Sequence, residues 1–428
     1  MRHGRFVFSG LMLIAAVLMV VGGACAGPGE SDGSDEVDIS DRVQLLDFPP
    51  PYSGMLAISN DIDGTTLEEF REIHRFVNTR EDTRMGEGLG LDFANSFWFF
   101  NYNDTGGYID AEDTETPREQ VSYFVAGDAG KPGAAEEIRH YIRAGWIYTL
   151  HSWGDFSRAE VQEPVFRRGH AEKALAELKV HDLDIRVWTN HGNVANIQNF
   201  GYGVGFAEYQ EGDRPGSTAY HTDLTIGSGV HFVWNSKGSD AVGARSLLFP
   251  IDLADGRSVW GFERYTHTIS DGEKDWLWGV HDLHRQLSEE NLQQIAENGW
   301  YSIVANHLGN RLERATLPDS AVKALRRLRR YQDEGEILVA RTSRLLQYHR
   351  MHEHVQYTAR IDEEGAVHIS IECIDDPLFG CFVPGRMRSG ALLSPFPQAR
   401  ELTFTSMAKN CRAILSNIRM TVIGCTWG

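Results

Sequence analysis

At 428 residues the chain exceeds the usual size of one domain, so a large barrel-sized unit with a small accessory domain is the natural first expectation. A formal net charge of -19 argues against polyanionic partners such as nucleic acid, whose binding draws on a positive surface and counterion release. An acidic surface favours solubility and neutral or cationic ligands. The ten Trp and fourteen Tyr could stack on sugars, although most aromatics in any enzyme fill the core.

The N-terminus carries Arg2, His3 and Arg5, an apolar run over 6–21 and then G-G-A-C-A-G. This pattern reads as an export signal within 1–26. Two ends compete: Ala24-Cys25-Ala26 suits A-x-A cleavage, and Gly23-Ala24-Cys25 partly matches a lipoprotein box with Gly22 where Leu is preferred. The apolar run is also nearly long enough to stay as a transmembrane anchor. The segment 27–45 is acidic, rich in Gly and Ser over 27–41 and without apolar period there, which predicts a disordered tether.

From 46 to 351 apolar strands alternate with amphipathic helices, the pattern of an α/β domain with a parallel sheet. Strands are predicted at 55–59, 93–100, 121–126, 146–150, 185–189, 231–234, 301–305 and 337–340. Four of them run straight into polar groups. L-A-I-S-N-D-I-D-G-T delivers Asp61 and Asp63, and W-I-Y-T-L is followed by His151-Ser152-Trp153-Gly154-Asp155. I-R-V-W-T-N-H-G ends at His191, and W-Y-S-I-V-A-N-H-L-G ends at His307. In a barrel of parallel strands the carboxyl ends share one face, and that face carries the chemistry.

Helix boundaries are marked too. A helical pattern over 134–144 stops at Gly145, Ser288 caps a helix that Gly299 ends, and Ser320 caps one bearing Val322, Leu325 and Leu328. The R-R-L-R-R run on that last helix reads as a solvated face. His140, His170, His181, His281 and His284 fall in helical or loop patterns and read as surface residues. From Val355 apolar and polar residues alternate, D-E-E-G makes a turn and the alternation resumes at Val367. The region 352–428 is therefore expected to be a small antiparallel β domain. It holds Cys373, Cys381, Cys411 and Cys425, which in an exported protein suggest two disulfides with three pairings open.

Asp63, His151 and Asp155 make a metal-ligand set for a divalent ion of zinc type, which accepts carboxylate oxygen and imidazole nitrogen. Water held on such an ion loses its proton near neutral pH. Asp61 would take that proton as general base, and a protonated His307 would donate to the departing amine or alkoxide.

At these residues the chain resembles the polysaccharide deacetylase family, carbohydrate esterase family four, over 46–351 and in motif order. Asp61-Ile62-Asp63-Gly64 matches its D-x-D-G motif, in which the first carboxylate is the base and the second a metal ligand. His151-Ser152-Trp153-Gly154-Asp155 matches H-S-x-x-H except that Asp155 replaces the second histidine ligand. His307 in I-V-A-N-H matches the acid histidine. The family's arginine motif is less clear: Arg186 opens its strand, N-H-G occupies the strand end, and His191 would interact with the base or the substrate. Tyr220-His221-Thr222-Asp223 could face the cleft without matching a family motif.

The resemblance implies an incomplete (β/α) barrel of about seven parallel strands and removal of N- or O-linked acetyl groups from a polysaccharide or oligosaccharide. A carboxylate in place of the second imidazole would make the site more anionic and bound water less acidic. The expectation is an exported metal-dependent hydrolase, periplasmic, extracellular or anchored to the envelope through its N-terminus. Two alternatives stand beside it: a non-catalytic carbohydrate-binding or scaffold protein on the same barrel, and a glycosidase of the same superfamily with Asp61 or Asp63 as nucleophile.

Overall fold

The computed structural model describes residues 36–43, 45–101, 120–125, 128–156, 166–192, 196–201, 209–309, 312–363 and 367–382. The expected export signal, most of the tether, and Cys25, Cys411 and Cys425 lie outside these residues. Among the described residues no helix is long and apolar enough to cross a membrane. The chain divides into two compact units, Pro50–His349 and the described parts of Met1–Pro49 with Arg350–Gly428.

The large unit is mixed α/β, built on a curled, mostly parallel half-barrel sheet. Its strands are β1 Gly54–Asn60, β2 Ala94–Phe97, β3 Ile147–His151, β4 Val187–Thr189, β5 Phe232–Trp234, β6 Gly238–Ser239, β7 Leu248–Asp252, β8 Ser258–Phe262, β9 Arg264–Tyr265, β10 Tyr301–Asn306 and β11 Ile337–Val339. The order is β6-β9-β10-β1-β2-β3-β4-β5-β8-β7, with β11 also paired to β1. All these pairings are parallel except β7 with β8. Two consecutive pieces of one extended run, β8 and β9, pair with β5 and β10 respectively. The run thereby touches both flanks of the curled sheet.

Strand β1 is buried along its whole length, as a parallel strand covered on both faces must be. Leu56 and Ile58 enter one core with Ile73, Phe76 and Val77 of α1 (Leu67–Asn78). The same core takes Leu292 and Ile295 of α2 (Glu289–Asn298) and Leu325 and Leu328 of α3 (Asp319–Asp333). Each such side chain contributes about 1.5–3 kcal/mol on burial, and the helix layer they make holds the strand in place. The other side of the strand carries Ser59, in line with Asp61, toward the interior.

Several expected boundaries hold. The helix Ala135–Ala144 ends at Gly145 in the left-handed region, and Ser288 accepts a hydrogen bond from the Asn291 amide ahead of a left-handed Gly299. The helix expected to be capped by Ser320 instead starts at Asp319 after Pro318, because the fixed proline φ suits a helix entry. The predicted strand at 121–126 is not part of the parallel sheet: Phe124–Val125 pairs antiparallel with Asp128–Pro132. The run β8–β9 was not predicted, since Gly261, Glu263 and Arg264 interrupt its apolar pattern. Of the histidines read as surface residues, His170 packs against the rings of Phe100, Phe156 and Phe166.

The small unit is a four-stranded antiparallel sheet, ordered Val37–Asp38, Val355–Ile361, Val367–Asp376, Gly380–Phe382. Ile39, Val43, Ala359, Val367 and Ile369 form its core. Residues 37–42, placed by composition in the tether, thus contribute a strand and a short 3-10 turn. Cys373 and Cys381 are free thiols on neighbouring strands.

Candidate metal centre

The carboxyl ends of β1, β3, β4 and β10 bring Asp61, Asp63, His151, His191 and His307 together. The first loop begins where the Asp61 amide donates to the Asn306 carbonyl (2.9 Å), extending the ladder one residue beyond β1. The Ile62 amide then donates to Ser96 Oγ, and Ile62 itself is fully buried. Gly64 takes a positive φ of 66°, which reverses the chain at little steric cost. Thr66 and Glu69 complete a reciprocal capping box at the start of α1. Strand end, turn and cap therefore point the two carboxylates different ways, although they are only two residues apart.

Asp61 is paired with Arg264 of β9. Arg264 Nη1 lies 3.1 Å from Asp61 Oδ1 and Nη2 lies 2.7 Å from Oδ2, a two-bond fork in the buried interior. Ser59 Oγ accepts from the same Nη1 at 3.3 Å, and the guanidinium lies 3.8 Å over the Trp234 ring. Burial alone would raise the Asp61 pKa, but the Arg264 charge, helped by His151, outweighs it and holds the carboxyl below its usual range. Asp61 is consequently ionised at neutral pH.

Asp63 sits among imidazoles. Its Oδ2 is 2.9 Å from His151 Nε2 and 3.5 Å from His307 Nε2, and its Oδ1 is 3.1 Å from His191 Nδ1. His151 Nε2 and His191 Nδ1 are themselves 2.9 Å apart. Burial opposes the Asp63 charge, yet His151 and His191 drive its pKa well below the carboxylate norm. The His191 pKa goes up to about 10, burial pulling it down and Asp63 and Asp155 pulling it up more strongly.

Asp63, His151 and His191 form a group that could hold a metal ion. The donor set fits: two imidazole nitrogens and a carboxylate, mutually near 3 Å, suit a divalent ion of zinc type whose bonds run about 2.0–2.2 Å. Asp155, expected to be a ligand, instead meets the other nitrogen of His191, with Oδ1 3.2 Å from Nε2. An Nε2–H donating to Asp155 would leave Nδ1, beside Asp63 and His151, as the nitrogen that would face a bound ion, the arrangement by which outer carboxylates orient metal-bound histidines.

Local sequence explains how Asp155 gets there. Ser152 follows β3 with a positive φ of 51°, its amide donating to the Thr189 carbonyl at 2.8 Å. Gly154 then passes so close to Phe100 that a Cβ would lie 2.4 Å from the Phe100 carbonyl oxygen. Gly154–Asp155 pairs in parallel with Phe100–Asn101, fixing the carboxylate behind His191.

The N-I-Q-N segment at 196–199 clamps both histidine loops, and sequence reasoning missed it. Asn199 accepts from the His191 amide (3.1 Å) and donates to the His191 carbonyl (2.8 Å). Gln198 accepts from the Trp153 amide (3.1 Å) and donates to the Gly154 carbonyl (2.7 Å). Behind it His221 is fully buried, Nε2 2.7 Å from the Gln198 carbonyl and Nδ1 2.7 Å from Thr225 Oγ1. Burial pushes the His221 pKa down to about 4. His221, considered as a cleft residue, is thus a structural support, and Asp223 is taken up by Arg168 (2.7 and 2.8 Å).

His307 approaches from the opposite side. Its amide and its Nδ1 lie 2.8 and 3.0 Å from the Trp278 carbonyl, which leaves Nε2 toward Asp63. Burial lowers its pKa, but Asp63 and Asp61 more than compensate, and the net shift is upward. Arg264 is the other member that sequence reasoning did not name. A charged residue ending the apolar run S-V-W-G-F was the available signal. Arg186, weighed for the arginine role, is exposed enough to pair with Asp184 instead.

No protein-family model matches the chain, and no curated protein matches it.

Proposed function

We propose that the protein is an exported, metal-dependent hydrolase that removes acetyl groups from a polysaccharide on an incomplete (β/α) barrel of about seven strands. Counting β5 with β6 and β8 with β9 as single interrupted strands leaves β1, β2, β3, β4, β5/β6, β8/β9 and β10 round the curl, with β11 also paired in parallel to β1. The observation that carries the reading is the meeting of Asp63, His151 and His191 beside an ionised Asp61 and a cationic-leaning His307.

In this reading His191 is the second histidine ligand and Asp155 the carboxylate that orients it. The donor set is then N,N,O, as in catalytic zinc sites, and the anionic penalty of a second carboxylate ligand does not arise. A bound divalent ion would polarise the acetyl carbonyl and make water acidic near neutral pH. Asp61, kept charged by Arg264, accepts the proton of the attacking water. His307 hands a proton from Nε2 to the departing sugar nitrogen or oxygen, so that acetate and a free amine or hydroxyl leave. The imidazolium is favoured there by the two carboxylates, and its Nδ1–H donates to the Trp278 carbonyl throughout.

Acetate release from acetylated oligosaccharides, measured with zinc titrated into the metal-free full-length protein, tests the reading. Stoichiometric zinc with acetate production supports it. Glycan binding with neither would favour the scaffold, and new reducing ends without acetate would favour the glycosidase. Asp61→Asn should retain zinc and lose at least about a hundredfold in rate, the usual worth of a general base; an unchanged rate would remove Asp61 from its role.

A further inference from the structure

We propose that Trp98 is a positioning residue for the metal centre, its indole face holding the His151 ring in the plane that an ion requires. The proposal rests on the reading of Asp63, His151 and His191 as metal ligands. Trp98 follows β2 directly and is fully buried. Its backbone is fixed on both sides: its carbonyl accepts from the Tyr123 amide at 3.2 Å, and the next amide, Phe99, donates to the Trp153 carbonyl at 3.0 Å.

The indole touches both imidazoles. It stacks on His151 at 5.7 Å between centroids and 23° between planes, and it meets His191 edge-on at 5.2 Å and 69°. The two imidazoles are 4.6 Å apart at 68°, so the three rings form one packed cluster.

An imidazole nitrogen binds a metal along its lone pair, which lies in the ring plane. The torsion of that ring must therefore be set. His191 has Asp155 on its far nitrogen and Asn199 on its backbone. Among the described residues His151 has no such bond: its Nδ1 is buried without a hydrogen-bond partner, and Asp61 Oδ1 lies 3.9 Å away. Metal-binding histidines usually rely on that outer hydrogen bond for orientation. Here the flat contact with Trp98 takes its place. Charge acts in the same direction, because an imidazole that donates to a cation becomes electron-poor and is attracted to the negative face of an indole.

Equilibrium dialysis of zinc against the full chain, with cobalt absorption as a second readout, separates the possibilities for wild type, Trp98→Phe and Trp98→Leu. Phe preserves a flat face and removes the N–H; Leu fills space without a face. Zinc affinity within about threefold of wild type is expected for Phe, and a loss of about 10–100-fold for Leu, the range found when a ligand-orienting group is removed. The cobalt band should keep its wild-type position in Phe and shift in Leu. Leu binding zinc as tightly as wild type would overturn the proposal, and so would a loss of tenfold or more in Phe. If Leu does not fold, the Phe result decides alone. Wild type that takes up no zinc would instead refute the metal reading itself, with Trp98 unaffected as a structural ring.

Discussion

Two groups of buried histidines occupy the large unit, and they respond to burial in opposite ways. Behind β1, His74 of α1 is enclosed by aromatic rings, with Phe70 at 4.2 Å, Trp146 stacked at 5.0 Å and 6°, and Phe93 at 5.3 Å. Its Nδ1 meets Asn78 Oδ1 at 2.6 Å, and burial drives its pKa down to about 3. At the carboxyl ends of the strands, His191 is equally enclosed yet has its pKa raised to about 10. Desolvation is shared; the carboxylates Asp63 and Asp155 are not. A histidine becomes an instrument of charge chemistry here because of what the strand ends bring to it, and a neutral core filler where only rings surround it.

The largest break in that contrast comes from removing its source. Asp63→Ala leaves two neighbouring imidazoles without the carboxylate they share. Zinc binding should fall by more than about a thousandfold and acetate release with it, as read by dialysis and by single-turnover assay. His74→Gln, the matched change in the aromatic box, should leave zinc affinity as it was. Equal losses in the two variants would mean that the carboxyl-end cluster has no special status.

Arg264 provides the next effect in size. Taking away one member of a buried ion pair leaves the other charged and unpaired, at a cost of about 3–5 kcal/mol. Arg264→Met should lower the unfolding free energy by that amount at neutral pH. The loss should shrink in acid as Asp61 becomes protonated, since the unpaired carboxyl titrates higher than in wild type. Denaturant melts at pH 7 and pH 5 measure both; a loss independent of pH would point to packing with Trp234 as the main contribution of Arg264.

His74 sets an acid limit of its own. Its folded pKa of about 3 lies below the ordinary 6.5, so the unfolded chain binds the proton more readily. Stability from this residue is therefore complete above about pH 6.5, declines as pH falls, and is exhausted near pH 3. By pH 4 the loss reaches about 3 kcal/mol. His74→Gln should flatten this part of the stability profile, and a profile unchanged by the substitution would show that other groups govern acid unfolding.

What the sequence made legible was the order of strand ends. Apolar runs that terminate in D-I-D-G, H-S-W-G-D, T-N-H-G and A-N-H announced the five residues that meet. Local signals also placed Gly145, Ser288 and Gly299 correctly, because caps depend on immediate neighbours. The division of labour between His191 and Asp155 was not legible. It depends on how far Gly154 lets the loop approach Phe100, a tertiary contact with no trace in the spacing. Arg264 and the 196–199 clamp were hidden for the same reason: Arg264 serves Asp61 203 positions away, and the clamp reaches His191 from 8 and Trp153 from 45 positions away, through contacts that the fold creates.

The smallest effect sharpens the contrast most. Asp155→Asn keeps the shape and the acceptor oxygen facing His191 Nε2 but removes the charge. If Asp155 orients the ring, the amide should retain zinc with about 10–100-fold weaker affinity. If Asp155 were itself a ligand, as the H-x-x-x-D spacing suggests, the amide should reduce binding toward the level of Asp63→Ala. Zinc affinities of Asp155→Asn, Asp63→Asn and wild type, measured together, separate these outcomes because the same chemical change is made at an outer carboxylate and at an inner one. The folded state should scarcely register Asp155→Asn, since the hydrogen bond survives. A melting temperature lowered as far as the affinity would mean instead that Asp155 holds the loop and only indirectly the ring.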